Sequence, residues 1–274
     1  MDYQTMPDFQ KEALNFVAKS GYIRKAFFFD YLSSASVSSK YKNWGRLIES
    51  GLLDSYKSTF YGEDTYKLSK RGKRILANYG IEPVSAAYPN QFDHDDAALK
   101  FALSNQKVGI INSDWQGDRS LRAKPSDDLK SIFGSANYKL PDLLFSISGL
   151  SEKLTGVLEI ERTRKTESKY LDFISAYKDA DNISLILIAY NHNSVKVNLE
   201  KAINRRLFPI DDKPIGFCKL IDMIADPVNF EIEFGDYKIQ FSKYINKLRN
   251  LEAKEQSNNM DGAKSTQDSL GVPQ

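Results

Sequence analysis

The sequence predicts a chain of mixed helix and strand, α/β (α+β), with a helical N-terminal part followed by a larger part built on a mixed sheet. Three observations carry that expectation. Apolar residues recur at helical spacing near the start, as in Phe9, Ala13, Phe16 and Val17. Residues 184–190 are apolar at nearly every position, which suits a central strand covered by helices on both faces. Residues 140–147 and 156–162 are rich in aliphatic and β-branched residues and are separated by turn material, Gly149-Leu150-Ser151-Glu152-Lys153.

In the N-terminal part a second helix is predicted over 23–32, carrying Phe27, Phe28 and Tyr31. Ser33-Ser34-Ala35-Ser36 is a turn rich in N-cap residues, and a third helix follows over 37–49, ended by Gly51 as a C-cap glycine. Tyr41, Trp44, Leu47 and Ile48 are expected to face inward on it. Residues 52–56 and 65–68 alternate as two short strands around Phe60-Tyr61-Gly62-Glu63, and a helix over 70–79 closes the part. Three helices, a two-stranded ribbon and a closing helix make the order of a winged helix-turn-helix, predicted over residues 1–79. Ser38, Lys40, Lys42, Asn43 and Arg46 then sit toward the N-terminal end of the third helix, where a reader of the duplex major groove needs polar and basic groups. An ordinary solvated basic face, or a surface for protein contact, is the alternative.

Residues 80–90 contain two prolines and no periodicity and read as a linker. The larger part is predicted over 91–251. Its elements are a helix (95–104), a strand (108–111), the two strands already described, a helix (166–178), the apolar strand and a helix (197–207). A strand (215–220) and a hairpin (230–234 and 237–241, turned at Gly235-Asp236) complete it. Asp127 and Asp128 read as loop. Residues 252–274 are polar and unpatterned and are expected to be a disordered tail.

Composition narrows the classes. At 274 residues the chain can bury a proper core, and 41% hydrophobic with 27% charged residues is ordinary for a globular protein. The net charge of +2 means that nucleic-acid affinity must come from local basic patches. A single cysteine, Cys218, excludes an internal disulfide and a Cys-rich zinc site. No apolar run approaches about 18 residues and no signal-peptide pattern follows Met1, so a cytoplasmic chain without membrane contact is expected.

The residues with most chemistry are Asp142, Glu159 and Glu161. Pro141-Asp142 opens one predicted strand and Glu159-Ile160-Glu161 ends the next. Side chains alternate along a strand, so the two glutamates share a face at a spacing of about 7 Å. Two carboxylates so placed repel unless a cation or proton intervenes. If the strands pair as a hairpin, Asp142 lies beside Glu159, giving an oxygen-only pocket suited to Mg²⁺ or Mn²⁺. The alternative is a solvent-facing row of carboxylates. His94, beside Asp95 and Asp96, is open to two readings, a metal or phosphate contact or a capping cluster. Tyr170, Phe173, Ile174 and Tyr177 form a helical apolar stripe, so Tyr170 reads as core as well as a candidate nucleophile. Trp115 with Arg119, Arg122 and Lys124 suits stacking on unpaired bases, or a buried indole with a solvated rim.

Helix, strand, strand with Pro141-Asp142, strand with Glu159-Ile160-Glu161, then helix: this order resembles the core of the PD-(D/E)XK nuclease superfamily, the restriction-endonuclease fold. The chain departs from that pattern in having Glu161 where the superfamily usually places a lysine, which leaves Lys169, Arg162 or Arg164 to supply the charge. The winged helix, His94-Asp95, Pro-Asp, Glu-x-Glu and a Lys- and Tyr-containing helix together resemble the MobC-type relaxases of mobilisable plasmids and the related replication-relaxation proteins, over residues 8–190. That resemblance implies metal-dependent, site- and strand-specific nicking at an origin of transfer. Mg²⁺ or Mn²⁺ would be held by Asp142, Glu159, Glu161 and His94, with Lys169 near them, and Tyr170 would be the nucleophile if a covalent intermediate forms. The implied partners are the duplex origin, contacted by the third helix and Arg119, single-stranded DNA at the nick, and an accessory mobilisation or coupling protein. The alternatives are a non-catalytic DNA-binding regulator of plasmid or phage replication or transfer, and a restriction-type double-strand endonuclease.

Overall fold

The computed structural model describes residues 2–56, 65–86, 91–150, 154–205 and 213–268, with backbone alone beyond residue 254. Helix α1 (Asp8–Ser20) buries Ala13, Leu14, Phe16 and Val17 and stops at Gly21, whose φ of 82° lets its N–H turn back to the Val17 carbonyl. The predicted second helix starts two residues late. Ile23 and Arg24 instead form strand β1 (Ile23–Arg24), paired with β3 (Thr65–Leu68), because ladder bonds to Tyr66 and Thr65 hold them extended. Helix α2 (Lys25–Phe27) then runs into a π-helical turn over Phe28–Leu32. Helix α3 (Val37–Glu49) has the expected bounds, and β2 (Leu53–Tyr56) pairs with β3 to complete a three-stranded sheet in the order β1-β3-β2. The expected turn at residues 60–63 lies outside the described residues. Helix α4 (Lys70–Ala77) is capped by the Ser69 hydroxyl, which accepts from the Gly72 N–H.

Only Trp44 and Leu47 are buried on α3. Tyr41, expected inside, is 57% exposed. It lies one turn from Val37 on the outer stripe, where its ring meets Phe29 edge-on at 4.8 Å and the Lys25 ammonium sits 4.6 Å above it.

The second part opens with α5 (Phe92–Lys107). No strand forms over 108–111. The helix continues to Lys107, Val108 is exposed, Gly109 takes a left-handed turn, and only Ile111 makes a single bridge to Ile147. The edge strand is β4 (Gln116–Gly117), followed by α6 (Asp118–Arg122). Asp127 and Asp128, read as loop, lie in the first turn of α7 (Ser126–Phe133), where carboxylates favour the positive end of the helix. Strands β5 (Leu143–Ser146) and β6 (Thr155–Glu161) are antiparallel. Helix α8 (Glu167–Lys178) crosses over to β7 (Leu185–Tyr190), parallel to β6, and α9 (Asn193–Arg205) to β8 (Ile215–Lys219), parallel to β7. After α10 (Leu220–Ala225) the hairpin β9 (Glu231–Phe234) and β10 (Tyr237–Gln240) closes the sheet, in the order β10-β9-β8-β7-β6-β5-β4. Helix α11 (Phe241–Asp268) begins where the hairpin ends. It continues through 252–268, where the sequence pattern predicts an unstructured tail.

The fold is α+β: a winged helix-turn-helix order of elements followed by a seven-stranded mixed sheet that runs through a helix, antiparallel strands, a crossover helix and a parallel strand. Leu158, Ile160, Leu187 and Ala189 point into one core shared with α5, α10, α11 and the winged helix. Val157, Ile186 and Ile188 point into a second, under α7, α8 and α9. All six residues of β7 are buried, as a doubly covered strand requires. No helix among the described residues is long and apolar enough to cross a membrane.

Candidate functional site

The register that pairs Leu143 with Leu158 places Asp142, one residue before β5, opposite Glu159. The contact is tight: the Ile160 N–H donates to Asp142 Oδ2 at 2.7 Å. Glu159 and Glu161 alternate with Leu158 and Ile160, so both point to the α8 face. They are not a solvated row. Glu159 is 1% and Glu161 2% exposed.

Buried carboxylates need partners, and each has one. Glu159 receives hydrogen bonds from the Tyr177 hydroxyl on α8 and from the Lys139 ammonium, which also lies 4.9 Å over the Phe173 ring. Glu161 pairs with Lys165, four residues on. His94 on α5 donates from Nε2 to Asp142 Oδ2 at 3.2 Å and has its Nδ1 3.7 Å from Asp95. Burial pushes the Glu159 carboxyl up to about 7, against the opposing pull of Lys139. Burial would raise Asp142 too, but the His94 hydrogen bond and charge, helped by Lys139 and the Ile160 N–H, leave it below the usual carboxylate range. Burial opposes the charge on His94, yet Asp142 and Asp95 raise it to about 10.

The structure thus brings Asp142, Glu159, Glu161 and His94 to one end of the β5–β6 pair, but not into one ligand set. Among the described residues no three His, Cys, Asp or Glu side chains converge as a metal-holding group. His94 sits on Asp142, with Nε2 3.2 Å from Oδ2, and so orients that carboxylate. A hard ion such as Mg²⁺ needs only one or two carboxylates and keeps water for the rest of its shell. Asp142 and Glu159 face each other from paired strands, the two carboxylates such an ion would need, with the Lys139 ammonium on Glu159.

The cation paired with Glu159 comes from a residue that strand patterns do not reveal. Lys139 precedes β5 in an irregular segment, and only the fold carries it onto Glu159. Lys169, the sequence candidate, is exposed on α8 outside the cluster. Arg162 pairs with Asp93 at 3.5 Å. Tyr170 is 1% exposed and its hydroxyl accepts the Lys165 N–H at 3.0 Å, so its ring is core and its oxygen is engaged. Arg119 is also internal: it pairs with Asp95 at 3.2 Å and donates to Gln91 and to the Ala86 carbonyl. Trp115 is buried and donates to Gln106 at 2.8 Å, leaving no face for a base. On α3, Ser38, Lys42 and Arg46 are exposed and Asn43 is half-buried. Lys40 donates to the Phe29 carbonyl and is tied to the preceding turn.

No family model and no curated protein matches the chain. Among solved structures it is similar to the restriction endonuclease FokI, with a TM-score of 0.24 and 8% identity over 80% of this chain and 43% of that one. For the restriction endonuclease FokI bound to DNA the TM-score is 0.27, with 9% identity over 80% and 44% of the two chains. The chain spans less than half the length of either.

Proposed function

We propose that this chain is a metal-dependent DNA endonuclease of the MobC relaxase type, which finds an origin through its winged helix and nicks one strand there. The observation that supports this most is the buried Asp142–Glu159 pair at the β5–β6 register, neutralised by Lys139. Asp142 and Glu159 are the residues that would hold Mg²⁺ or Mn²⁺, which supplies polarisation of the scissile phosphate and a more acidic bound water. The chain's own groups do the positioning. His94 orients Asp142, Tyr177 orients Glu159, and Lys165 holds Glu161. Lys139 sets a positive charge next to the carboxylates, where an attacked phosphate gathers negative charge. The test is incubation of the protein and Mg²⁺ or Mn²⁺ with supercoiled plasmid carrying a candidate origin of transfer. Metal-dependent conversion to open circles supports the proposal; linear product points to a restriction-type enzyme.

One observation favours a second reading. Each of the three carboxylates already has an internal cation, which suits a nuclease-like domain kept as a scaffold in a DNA-binding regulator. Binding to the origin without cleavage in either metal would select it.

On α3, Lys42 and Arg46 are the exposed basic groups of the outer face. Replacing both by alanine is expected to weaken duplex binding by about 1–3 kcal/mol for each residue that touches a base, or to lower the salt slope for each that touches a phosphate. Adding Lys40→Ala should contribute little to either. Unchanged affinity and salt dependence in fluorescence anisotropy would assign this face to a protein partner.

Tyr170→Phe removes one hydrogen bond, worth about 1 kcal/mol, and no group that reaches the carboxylates. Nicking is therefore expected to persist with water as the nucleophile, and the nicked end to stay in the aqueous layer on phenol extraction. A wild-type end that partitions with protein, and ceases to do so only in Tyr170→Phe, overturns that assignment.

A further inference from the structure

We propose that the cavity between the β6–α8 turn and α9 is a phosphate-binding subsite that grips the backbone of a single nucleic-acid strand beside the carboxylate cluster. The cavity measures about 380 Å³ and is lined by Arg164, Lys165, Thr166, Asn198, Lys201 and Arg205. Four cations meet here from two elements, on a chain whose net charge is only +2. Such a gathering is unfavourable without anions to answer it. Within the cavity, Glu167 answers Arg205, while Lys165 is turned to Glu161. Arg164 and Lys201 have no ion-pair partner among the described residues. On α9, Asn198, Lys201 and Arg205 share one face at helical spacing, so the cations stand in a row one turn apart. Thr166 is the N-cap of α8 and its side chain makes no capping hydrogen bond, so amides of the first turn add to the same field.

The ligand chemistry follows from this lining. Guanidinium and ammonium groups around a cavity lined by no apolar residue suit a phosphate oxyanion better than an apolar molecule. The location selects the strand. Lys165 lines the cavity and also holds Glu161 at the end of β6, so a strand lying over Asp142 and Glu159 can place a neighbouring phosphate here. This choice of ligand rests on the endonuclease reading; the anion site itself does not.

The experiment uses the full chain and a labelled single-stranded oligonucleotide, titrated across salt concentrations, with inorganic phosphate as competitor. Arg164→Gln with Lys201→Gln is expected to lower the magnitude of the salt slope by about 1.4, at roughly 0.7 per phosphate contact on a single strand. Phosphate should compete in the wild type and not in the variant. Both residues are exposed, so the melting temperature should not move. Lys243→Gln, an exposed lysine on α11, should leave the slope unchanged. An unchanged slope in the double variant overturns the proposal. Phosphate binding that the variant loses, with no oligonucleotide binding in the wild type, overturns the strand assignment. Plasmid nicking is read separately: a reduced slope in a chain that never nicks supports the subsite and removes only the endonuclease reading.

Discussion

If the chain nicks DNA as proposed, Glu159→Gln is expected to abolish nicking while leaving the fold and duplex binding intact. Glutamine keeps the volume and still accepts from the Tyr177 hydroxyl, but it removes the charge that faces Asp142 across the strand pair. Lys139, at 31% side-chain exposure, can re-solvate. Alanine is a poorer probe there. It strands the buried Tyr177 hydroxyl and leaves a cavity, a change that costs about 2–5 kcal/mol beyond the lost ion pair. Melting should then fall on the order of 10 °C, at about 2–4 °C per kcal/mol for a chain of this size. Asp142→Ala should match Glu159→Gln in activity, with a melting loss of its own because the Ile160 N–H loses its acceptor. Wild-type nicking by Glu159→Gln or Asp142→Ala would falsify the placement of the reaction at this pair.

The second large effect concerns the sheet below the site. Gly156→Ala is expected to destabilise the chain by about 1–3 kcal/mol, because a methyl group there falls within 3.1 Å of three carbons of the Phe145 ring. Phe145 is the cross-strand partner of Gly156 and packs on Phe101 with ring centroids 5.4 Å apart, so its ring has nowhere to retreat. Shortening it should relieve the clash: Gly156→Ala with Phe145→Leu should melt above Gly156→Ala alone. If the single substitution leaves the melting temperature untouched, the close packing of β5 on β6 is wrong.

What the sequence shows and hides follows element length. Helix α3, β7 and the hairpin β9–β10 carry full periodic patterns or turn signals, and their expected bounds hold within a residue or so. Strands β1 and β4 have two residues each, too few for any periodicity, and their pairing comes from neighbours distant in the chain. Around 108–111 the apolar residues Val108, Ile110 and Ile111 imitate a strand, but helix α5 runs on into them and the glycine breaks the remainder. The placement of Asp142 against Glu159 is legible because both sit at ends of recognisable strands. Lys139 is not, because a lysine in an irregular segment has no pattern, and its role exists only once β5 has paired. Arg119 and Trp115 mislead for the opposite reason: basic and aromatic residues in a loop suggest contact with a ligand, while the fold uses both internally.

The hydrophobic cluster that starts at Met6 and ends at Ile245 does not stop between the two sheets. Tyr22 stacks on Phe92 at 4.6 Å, and Arg24 reaches Asp96 at 2.8 Å. Neither sheet then melts without baring side chains of the other, and heat should unfold the chain in one cooperative step whose calorimetric and van't Hoff enthalpies agree. If the chain locates a sequence with one part and cuts with the other, as proposed, this shared interior also works as a ruler: the distance from recognition to reaction is set by packing and not by a tether.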